Sequence, residues 1–117
     1  MMTQLKLLVL KTLQADTLRD FYTRLGFSFV EEQHGNGPVH YSAPLGDGIL
    51  ELYPLPEGTE ADSSTRLGFG VADLPAVIEE LGDLTEVSGP KTTPWGLRAV
   101  VKDPDGRSVE LYGEVAE

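Results

Sequence analysis

Residues 18–26 read LRDFYTRLG and residues 74–82 read LPAVIEELG, and these two segments share their first leucine and their final Leu-Gly. A second pair follows in the same order, because the ELY sequence at 51–53 recurs at 110–112. Segments repeated in the same order indicate an internal duplication. We therefore expect a single domain, 1–117, of two similar modules at about 3–55 and 65–114. A linker at about 54–65, rich in turn formers and charge, would join them.

Each repeated segment predicts a helix flanked by strands. Asp16 and Asp73 are placed to cap the two helices, and Gly26 is placed to end the first. Phe21 and Tyr22 lie on the apolar side of the first helix, and we expect them in the core and at an interface. Strands are predicted at 5–12, 27–32, 39–43, 49–53, 67–71, 84–87, 97–102 and 108–112. Each module is then β-α-β-β-β, which predicts an α+β fold with mixed, curved sheets.

Composition and charge exclude several classes of protein. Nine Lys and Arg against nineteen Asp and Glu give a net charge of −10, which repels phosphate backbones and argues against a nucleic-acid partner. The absence of cysteine excludes disulfides, thiolate nucleophiles and zinc–thiolate sites. No apolar run approaches the roughly 18 residues of a membrane helix. Residues 1–12 lack the pattern of a secretion signal, so we expect a cytoplasmic protein and no membrane partner.

Two longer segments carry a family resemblance. FYTRLGF at 21–27 and TPWGLRAVVKDPDGRSVELYG at 93–113, within a duplicated β-α-β-β-β unit, resemble the vicinal oxygen chelate superfamily. This is the glyoxalase, bleomycin-resistance and extradiol-dioxygenase group. HGNGPVHY at 34–41 is similar to small glyoxalase-like proteins of unassigned chemistry. The resemblance covers nearly the whole chain, and it implies a homodimer that binds a small molecule.

The resemblance also implies where a metal would be held. In metal-using members, the four ligands are His or Gln on the first strand of each module and Glu on the last. Glu51 and Glu110 fall on the two last-strand positions, but the first-strand positions fall near Leu7 and at about Arg66. Leucine cannot bind a metal, and arginine brings a positive charge. We therefore expect no metal at these positions and no other cofactor, with a divalent metal on another ligand set as the alternative.

The turn in the first module fixes which side chains share a face. If Gly46-Asp47 is a two-residue turn, His40 lies opposite Tyr53 and Ser42 lies opposite Glu51, all on one side of the sheet. A turn one residue longer would reverse these faces.

The second module gives a matching prediction. A loop at 103–107 places Arg98 opposite Tyr112 and Val100 opposite Glu110. Trp95, between Pro and Gly, is placed either to wall a cleft or to cover the core. The candidate catalytic residues are His40, Glu51 and Glu110, and the candidate ligand-binding residues are Tyr53, Trp95, Arg98 and Tyr112.

Ordinary structural roles stand beside these assignments. Glu51 and Glu110 alternate with apolar residues, which also fits glutamates that face water. His34 lies among glycines and is typical of a loop residue, while Arg66 and Arg98 are typical of exposed ion-pair partners. If both glutamates share a metal-free pocket, at least one should titrate above its usual range, unless an arginine neutralises it.

Three functions remain open from the sequence. The first is a protein that binds a small molecule in a sheet-lined pocket without the usual metal, and the charge of −10 suits a cationic ligand. The second is a metal-dependent lyase, isomerase or dioxygenase of the same superfamily. The third is a metal-free enzyme in which His40 and a glutamate act as an acid–base pair. The sequence does not decide whether the protein is an enzyme.

Overall fold

The computed structural model describes residues 2–114. They form two compact units, the first ending at residue 61 and the second beginning at residue 62. The short segment 24–26 belongs to the second unit. Each half of the chain contains one helix and four strands in the predicted order β-α-β-β-β. In chain order the elements are β1 (Leu7–Thr12), α1 (Ala15–Leu25), β2 (Val30–Glu32), β3 (His40–Leu45), β4 (Gly48–Pro54), β5 (Leu67–Gly70), α2 (Leu74–Leu81), β6 (Ser88–Thr93), β7 (Gly96–Lys102) and β8 (Ser108–Gly113).

The two sheets have the same topology. Their strand orders are β1-β4-β3-β2 and β5-β8-β7-β6. In each sheet the first strand is parallel to the last, and the other pairs are antiparallel, so both sheets are mixed. Glu51 on β4 and Glu110 on β8 therefore occupy equivalent strands, as the duplication predicts.

The register of the two predicted hairpins, β3–β4 and β7–β8, is the predicted one. Leu45 pairs with Gly48 around a two-residue turn, and Ser42 consequently lies opposite Glu51. Gly46 begins this turn with a φ of +56°, a conformation that favours glycine. In the second sheet, Arg98 pairs with Tyr112, and Val100 pairs with Glu110.

The first unit buries one face of its sheet and the apolar side of α1. The buried residues of this unit on these elements include Leu10, Leu18, Phe21, Tyr22, Ala43, Leu50 and Leu52. The prediction that Tyr22 lies at an interface is wrong for this chain. Its ring is completely buried, 5.0 Å from the Phe21 ring and 6.0 Å from the Phe27 ring, both edge-on. Aromatic edge-to-face packing of this kind accounts for its place in the core.

The start of α1 also differs from the prediction. Asp16 lies inside the first turn of the helix rather than at the cap. Its carboxylate accepts a 2.6 Å hydrogen bond from the Tyr41 hydroxyl, and the Thr12 hydroxyl accepts from the Gln14 N–H just before the helix. Asp16 thus ties α1 to β3 instead of capping the helix.

The second unit follows the prediction at α2. Asp73 caps the helix by accepting a 3.1 Å hydrogen bond from the Ala76 N–H, with a proline in the first turn. The helix buries Leu74 and Leu81. Gly113 on β8 lies so close that a Cβ there would be 2.7 Å from the Leu74 Cβ, so β8 and α2 pack in tight contact.

Two predicted strands are displaced. The strand expected at 84–87 is absent, because the N–H groups of Leu84 and Thr85 both donate to the Leu81 carbonyl and prolong the helix end; the strand forms at Ser88–Thr93. The strand expected at 27–32 is shorter, since the Phe27 N–H donates to the Tyr22 carbonyl.

Within residues 2–114, neither helix has the length and apolar character needed to span a membrane.

Candidate functional site

The face of the first sheet opposite α1 carries a row of polar side chains. Glu32 on β2 pairs with His40 on β3, and the His40 ring stacks on the Tyr53 ring of β4 with centroids 4.1 Å apart and planes 11° apart. Glu51 lies two residues before Tyr53 and therefore points to the same face. The structure thus brings together three predicted site residues, His40, Glu51 and Tyr53.

His40 is the buried centre of this group, with 1% of its surface exposed. Its Nδ1 lies 3.2 Å from the carbonyl oxygen of Pro38, and its Nε2 lies 3.2 Å from the Tyr53 hydroxyl. A carbonyl oxygen can only accept, so the hydrogen-bonded Nδ1 carries a proton. In the neutral ring, Nε2 then holds a lone pair, to which the Tyr53 hydroxyl donates.

Two carboxylates also face the His40 Nε2. The nearer Glu51 oxygen is 3.6 Å away, and the nearer Glu32 oxygen is 3.8 Å away. Burial raises the pKa of Tyr53, and the negative charges of Glu51 and Glu32 raise it further. Tyr53 consequently stays a neutral phenol that can donate its hydrogen at physiological pH.

His34 joins this group, although the sequence indicates only a loop residue. Its ring lies 5.2 Å from the His40 ring, centroid to centroid. Glu32, His34 and His40 each place one potential metal-ligand atom within 4.8 Å of the other two. Glu32 and His34 are two residues apart at the end of β2, and residues with this spacing lie on the same face of a strand. This spacing is the sequence signal that could have grouped His34 with Glu32.

The second unit holds an equivalent cluster built around Glu110. Arg98 donates to Glu110 Oε1 from Nε at 2.7 Å and also from Nη2, while Arg66 donates to Oε2 at 2.9 Å. The Tyr112 hydroxyl donates to Oε1 at 3.3 Å. The structure therefore brings Arg98, Glu110 and Tyr112 together, and it adds Arg66.

The two arginines determine the ionisation of Glu110. The hydrogen bonds from Arg98 hold the pKa of the Glu110 carboxyl below its usual range, and Arg66 lowers it further. The same contact raises the pKa of the Arg98 guanidinium. This is the exception anticipated from the sequence, in which an arginine neutralises a pocket glutamate. Glu110 is accordingly a charged hydrogen-bond acceptor and a poor base at neutral pH.

The metal site implied by the family resemblance does not fit these residues. Val9 on β1 is the register partner of Glu51, and Gly68 on β5 is the register partner of Glu110; neither offers a ligand atom. Both oxygens of Glu110 are already occupied by guanidinium groups, one of them from Arg66. A cation there would have to displace both arginines, so we derive no chemistry through a metal at Glu51 and Glu110.

Trp95 is the predicted site residue that the structure leaves outside these clusters. It lies in the β6–β7 turn with 80% of its surface exposed, and its backbone N–H donates to the Thr93 hydroxyl. A separate concavity of about 320 Å³ lies beside the start of α1, lined by residues 12–17 together with Pro54 and Leu55. None of the predicted site residues lines it.

Comparison with known proteins agrees with this architecture. The sequence profile of the Glyoxalase/Bleomycin resistance protein/Dioxygenase superfamily matches residues 5–111. The chain belongs to this superfamily. None of the curated proteins matches the sequence significantly.

Solved structures place the chain among small members of the superfamily. TnmS3, described as an antibiotic binding protein from Streptomyces sp. CB03234, is 27% identical with a TM-score of 0.77, and the match covers 97% of each chain. A glyoxalase/bleomycin resistance protein from the same organism is 28% identical with a TM-score of 0.72, covering 93% of this chain and 99% of that one. The virulence protein STM3117 from Salmonella typhimurium shares the fold at 21% identity, with a TM-score of 0.71 and coverage of 98% and 99%.

Proposed function

We propose that this member of the superfamily binds a small organic molecule without using the superfamily's metal site. The ligand would contact the polar face of the first sheet, where His40, Glu51 and Tyr53 meet. The observation that carries the proposal is the buried His40 ring, whose Nε2 faces a hydroxyl and two carboxylates. Convergent polar groups of this kind are typical of ligand sites.

The charge of this face favours a ligand that is cationic or rich in hydrogen-bond donors. Among the described residues, Glu51 has no arginine or lysine within ion-pair distance, and its carboxylate faces His40 Nε2 at 3.6 Å. The chain as a whole carries a net charge of −10, which raises the local concentration of cations. The antibiotic-binding description of TnmS3 supports a ligand of drug-like size.

The second unit carries groups of the complementary kind on its own sheet, and we propose ligand contacts on that unit as well. Arg98 and Tyr112 offer donors that are held in place by Glu110. The exposed indole of Trp95 offers an aromatic surface. In this proposal, Glu110 orients the donors and does not move protons.

A metal-free acid–base enzyme is the second candidate, and one observation favours it. The Nε2 of His40 lies 3.6 Å from the nearer Glu51 carboxylate oxygen and 3.2 Å from the Tyr53 hydroxyl. An imidazole between a phenol and a carboxylate can accept a substrate proton and return it. Binding without conversion distinguishes the first candidate from the second.

The test is a thermal-shift screen of cationic drugs and small oxo-acids, run in EDTA so that no metal contributes. The proteins are wild type, Glu51→Gln and Glu110→Gln. The matched control is Glu31→Gln, an exposed glutamate on the other side of β2. We expect at least one cationic compound to raise the melting temperature of wild type and of the control. Glu51→Gln should bind it about tenfold more weakly, as expected for a lost charged contact. Glu110→Gln should weaken binding less, because Glu110 acts only by orienting Arg98 and Tyr112.

One result would decide against the proposed site, and a second measurement separates the two candidates. Identical responses from all four proteins would exclude the glutamates from the site and overturn the proposal. Mass spectrometry of each hit after incubation then separates binding from catalysis, because an enzyme converts the compound and Glu51→Gln abolishes the conversion.

We also propose a homodimer. Leu7, Ile49 and Val30 lie on the face of the first sheet opposite α1, the same face as Glu51. They are 53%, 45% and 61% exposed, respectively. Exposed apolar side chains that share a face are typical of interaction surfaces.

A further inference from the structure

We propose that Glu32, His34 and His40 form a site for one divalent transition-metal ion of the zinc or nickel type. This ligand set lies wholly in the first unit, and it shares no residue with the superfamily's ligand positions. The set shares His40 with the proposed organic-ligand site, so the two are tested separately, the organic ligand in EDTA and the metal as Zn²⁺ alone.

The geometry is close to what such an ion requires. One ligand atom from each of Glu32, His34 and His40 lies within 4.8 Å of the other two. The distance between His40 Nε2 and the nearer carboxylate oxygen of Glu32 is 3.8 Å. Ligands at about 2.0–2.1 Å from zinc in a tetrahedral site are roughly 3.4 Å apart. Small side-chain rotations of the half-exposed Glu32 and the exposed His34 therefore suffice to close the site.

His40 is prepared as a metal ligand by its surroundings. Its Nδ1 is hydrogen-bonded to the Pro38 carbonyl, which is the second interaction that metal-binding histidines usually make. The ring is held by stacking on Tyr53. In the neutral ring with a proton on Nδ1, Nε2 offers a lone pair, and a metal bound there would replace the 3.2 Å contact with the Tyr53 hydroxyl.

The charges around the site also favour a cation. Glu51 and Glu32 both direct a carboxylate oxygen at the same imidazole nitrogen, at 3.6 and 3.8 Å. A divalent ion would relieve their mutual repulsion. Two imidazoles and one carboxylate form a ligand set that is well known for zinc, and it leaves a fourth position for water.

The second unit shows why only one such site is expected per chain. The residue pair equivalent to Glu32 and His40 is Lys91 and Arg98, which are register partners in the second sheet. Two cationic side chains cannot hold a metal ion. The two halves of the duplication have thus diverged, with an acidic and imidazole cluster in one and a basic cluster in the other.

The experiment uses the full chain, freed of any affinity tag and dialysed against chelator. Zn²⁺ alone is titrated by calorimetry and by competition with a chromophoric chelator. We expect one ion per chain with micromolar or tighter affinity and a rise in melting temperature. Co²⁺ in place of Zn²⁺ should give the visible absorption of a four-coordinate nitrogen and oxygen site.

The variants are His34→Asn and Glu32→Gln, with Glu31→Gln as the matched control. Loss of a ligand should weaken Zn²⁺ binding at least tenfold, since even outer-shell changes cost about 10–100-fold. The control should bind like wild type. Because His34 and Glu31 are exposed and Glu32 is half-exposed, all three variants should keep the wild-type circular dichroism spectrum.

Two outcomes would overturn the proposal. One is a wild-type protein that binds no Zn²⁺ at low micromolar concentration. The other is unchanged affinity in both His34→Asn and Glu32→Gln, which would place the ion elsewhere. Neither outcome affects the ligand screen, which is carried out in EDTA.

Discussion

His40 and Tyr53 are joined twice, by a face-to-face ring stack with centroids 4.1 Å apart and by a 3.2 Å contact between the Tyr53 hydroxyl and His40 Nε2. The stack fixes the plane of the imidazole, and the Pro38 carbonyl at Nδ1 fixes which nitrogen holds the lone pair in the neutral ring. This pair, on the adjacent strands β3 and β4, therefore prepares the polar face for either a ligand or an ion.

Tyr53→Phe tests the hydroxyl while keeping the ring. We expect this variant to lose about 1 kcal/mol of unfolding free energy, the usual value of a partly buried hydrogen bond. The matched control is Tyr112→Phe in the second unit. There the hydroxyl is 3.3 Å from Glu110, whose oxygens keep their bonds from two arginines, so the loss should stay within about 0.5 kcal/mol. Urea unfolding measures both, and equal losses would contradict this account of His40.

Arg107 gives the largest stability effect that we predict. It is 1% exposed, and its Nη1 donates to Asp103 at 3.1 Å and to Asp105 at 3.2 Å. Arg107→Met leaves two carboxylates without these buried bonds, which should cost about 3–5 kcal/mol. Lys102→Ala, on the exposed side of the same hairpin, should change stability by about 0.5 kcal/mol at most. Thermal or urea unfolding that finds the two variants equally stable would contradict this prediction.

The strand register could be predicted from the sequence because it depends on local features. A two-residue turn with glycine at Gly46 fixes the pairing of Ser42 with Glu51, and alternation then assigns each side chain to a face. The same logic places Arg98 opposite Tyr112. Together they explain why three of the predicted site residues share a face in each unit.

Other features could not be predicted, because they depend on contacts that are distant in sequence. Asp16 has the residue type of a helix cap, but the Tyr41 hydroxyl on β3 binds it instead. β6 consists of exposed residues from Ser88 to Thr92 and a half-exposed Thr93, so it lacks the alternating apolar pattern that reveals a strand. His34 meets His40 only because of the conformation of the loop between β2 and β3.

The homodimer prediction is tested by light scattering. A dimer has twice the chain mass of 12.7 kDa, about 25 kDa, and we expect this value at micromolar concentration. Val30→Lys places a charge on the exposed apolar face and should shift the mass towards 12.7 kDa. Val39→Lys, at a comparably exposed valine outside the strands, should remain dimeric. A wild-type mass near 12.7 kDa would refute the prediction.

The ion pairs of Glu110 with Arg98 and Arg66 predict that its contribution to stability depends on pH. The folded-state pKa of Glu110 is lower than its ordinary value of 4.5, chiefly because of Arg98. A carboxyl with a lowered pKa stabilises the fold above its unfolded-state value, and this contribution is lost as the pH falls through the folded-state value. Wild type should therefore be more stable than Glu110→Gln at pH 7, and the difference should shrink steadily below about pH 4.5.

Urea unfolding of wild type and Glu110→Gln at a series of pH values measures this difference directly. Because Arg66 is largely exposed, part of the difference should also disappear in 1 M salt, where charges are screened beyond about 3 Å. In an Arg98→Gln background, Glu110→Gln should have a smaller effect, since the principal partner is already gone. A stability difference that is the same at pH 7 and pH 3 would mean that the charge of Glu110 plays no part in the fold. Glu110 would then orient Arg98 by shape alone.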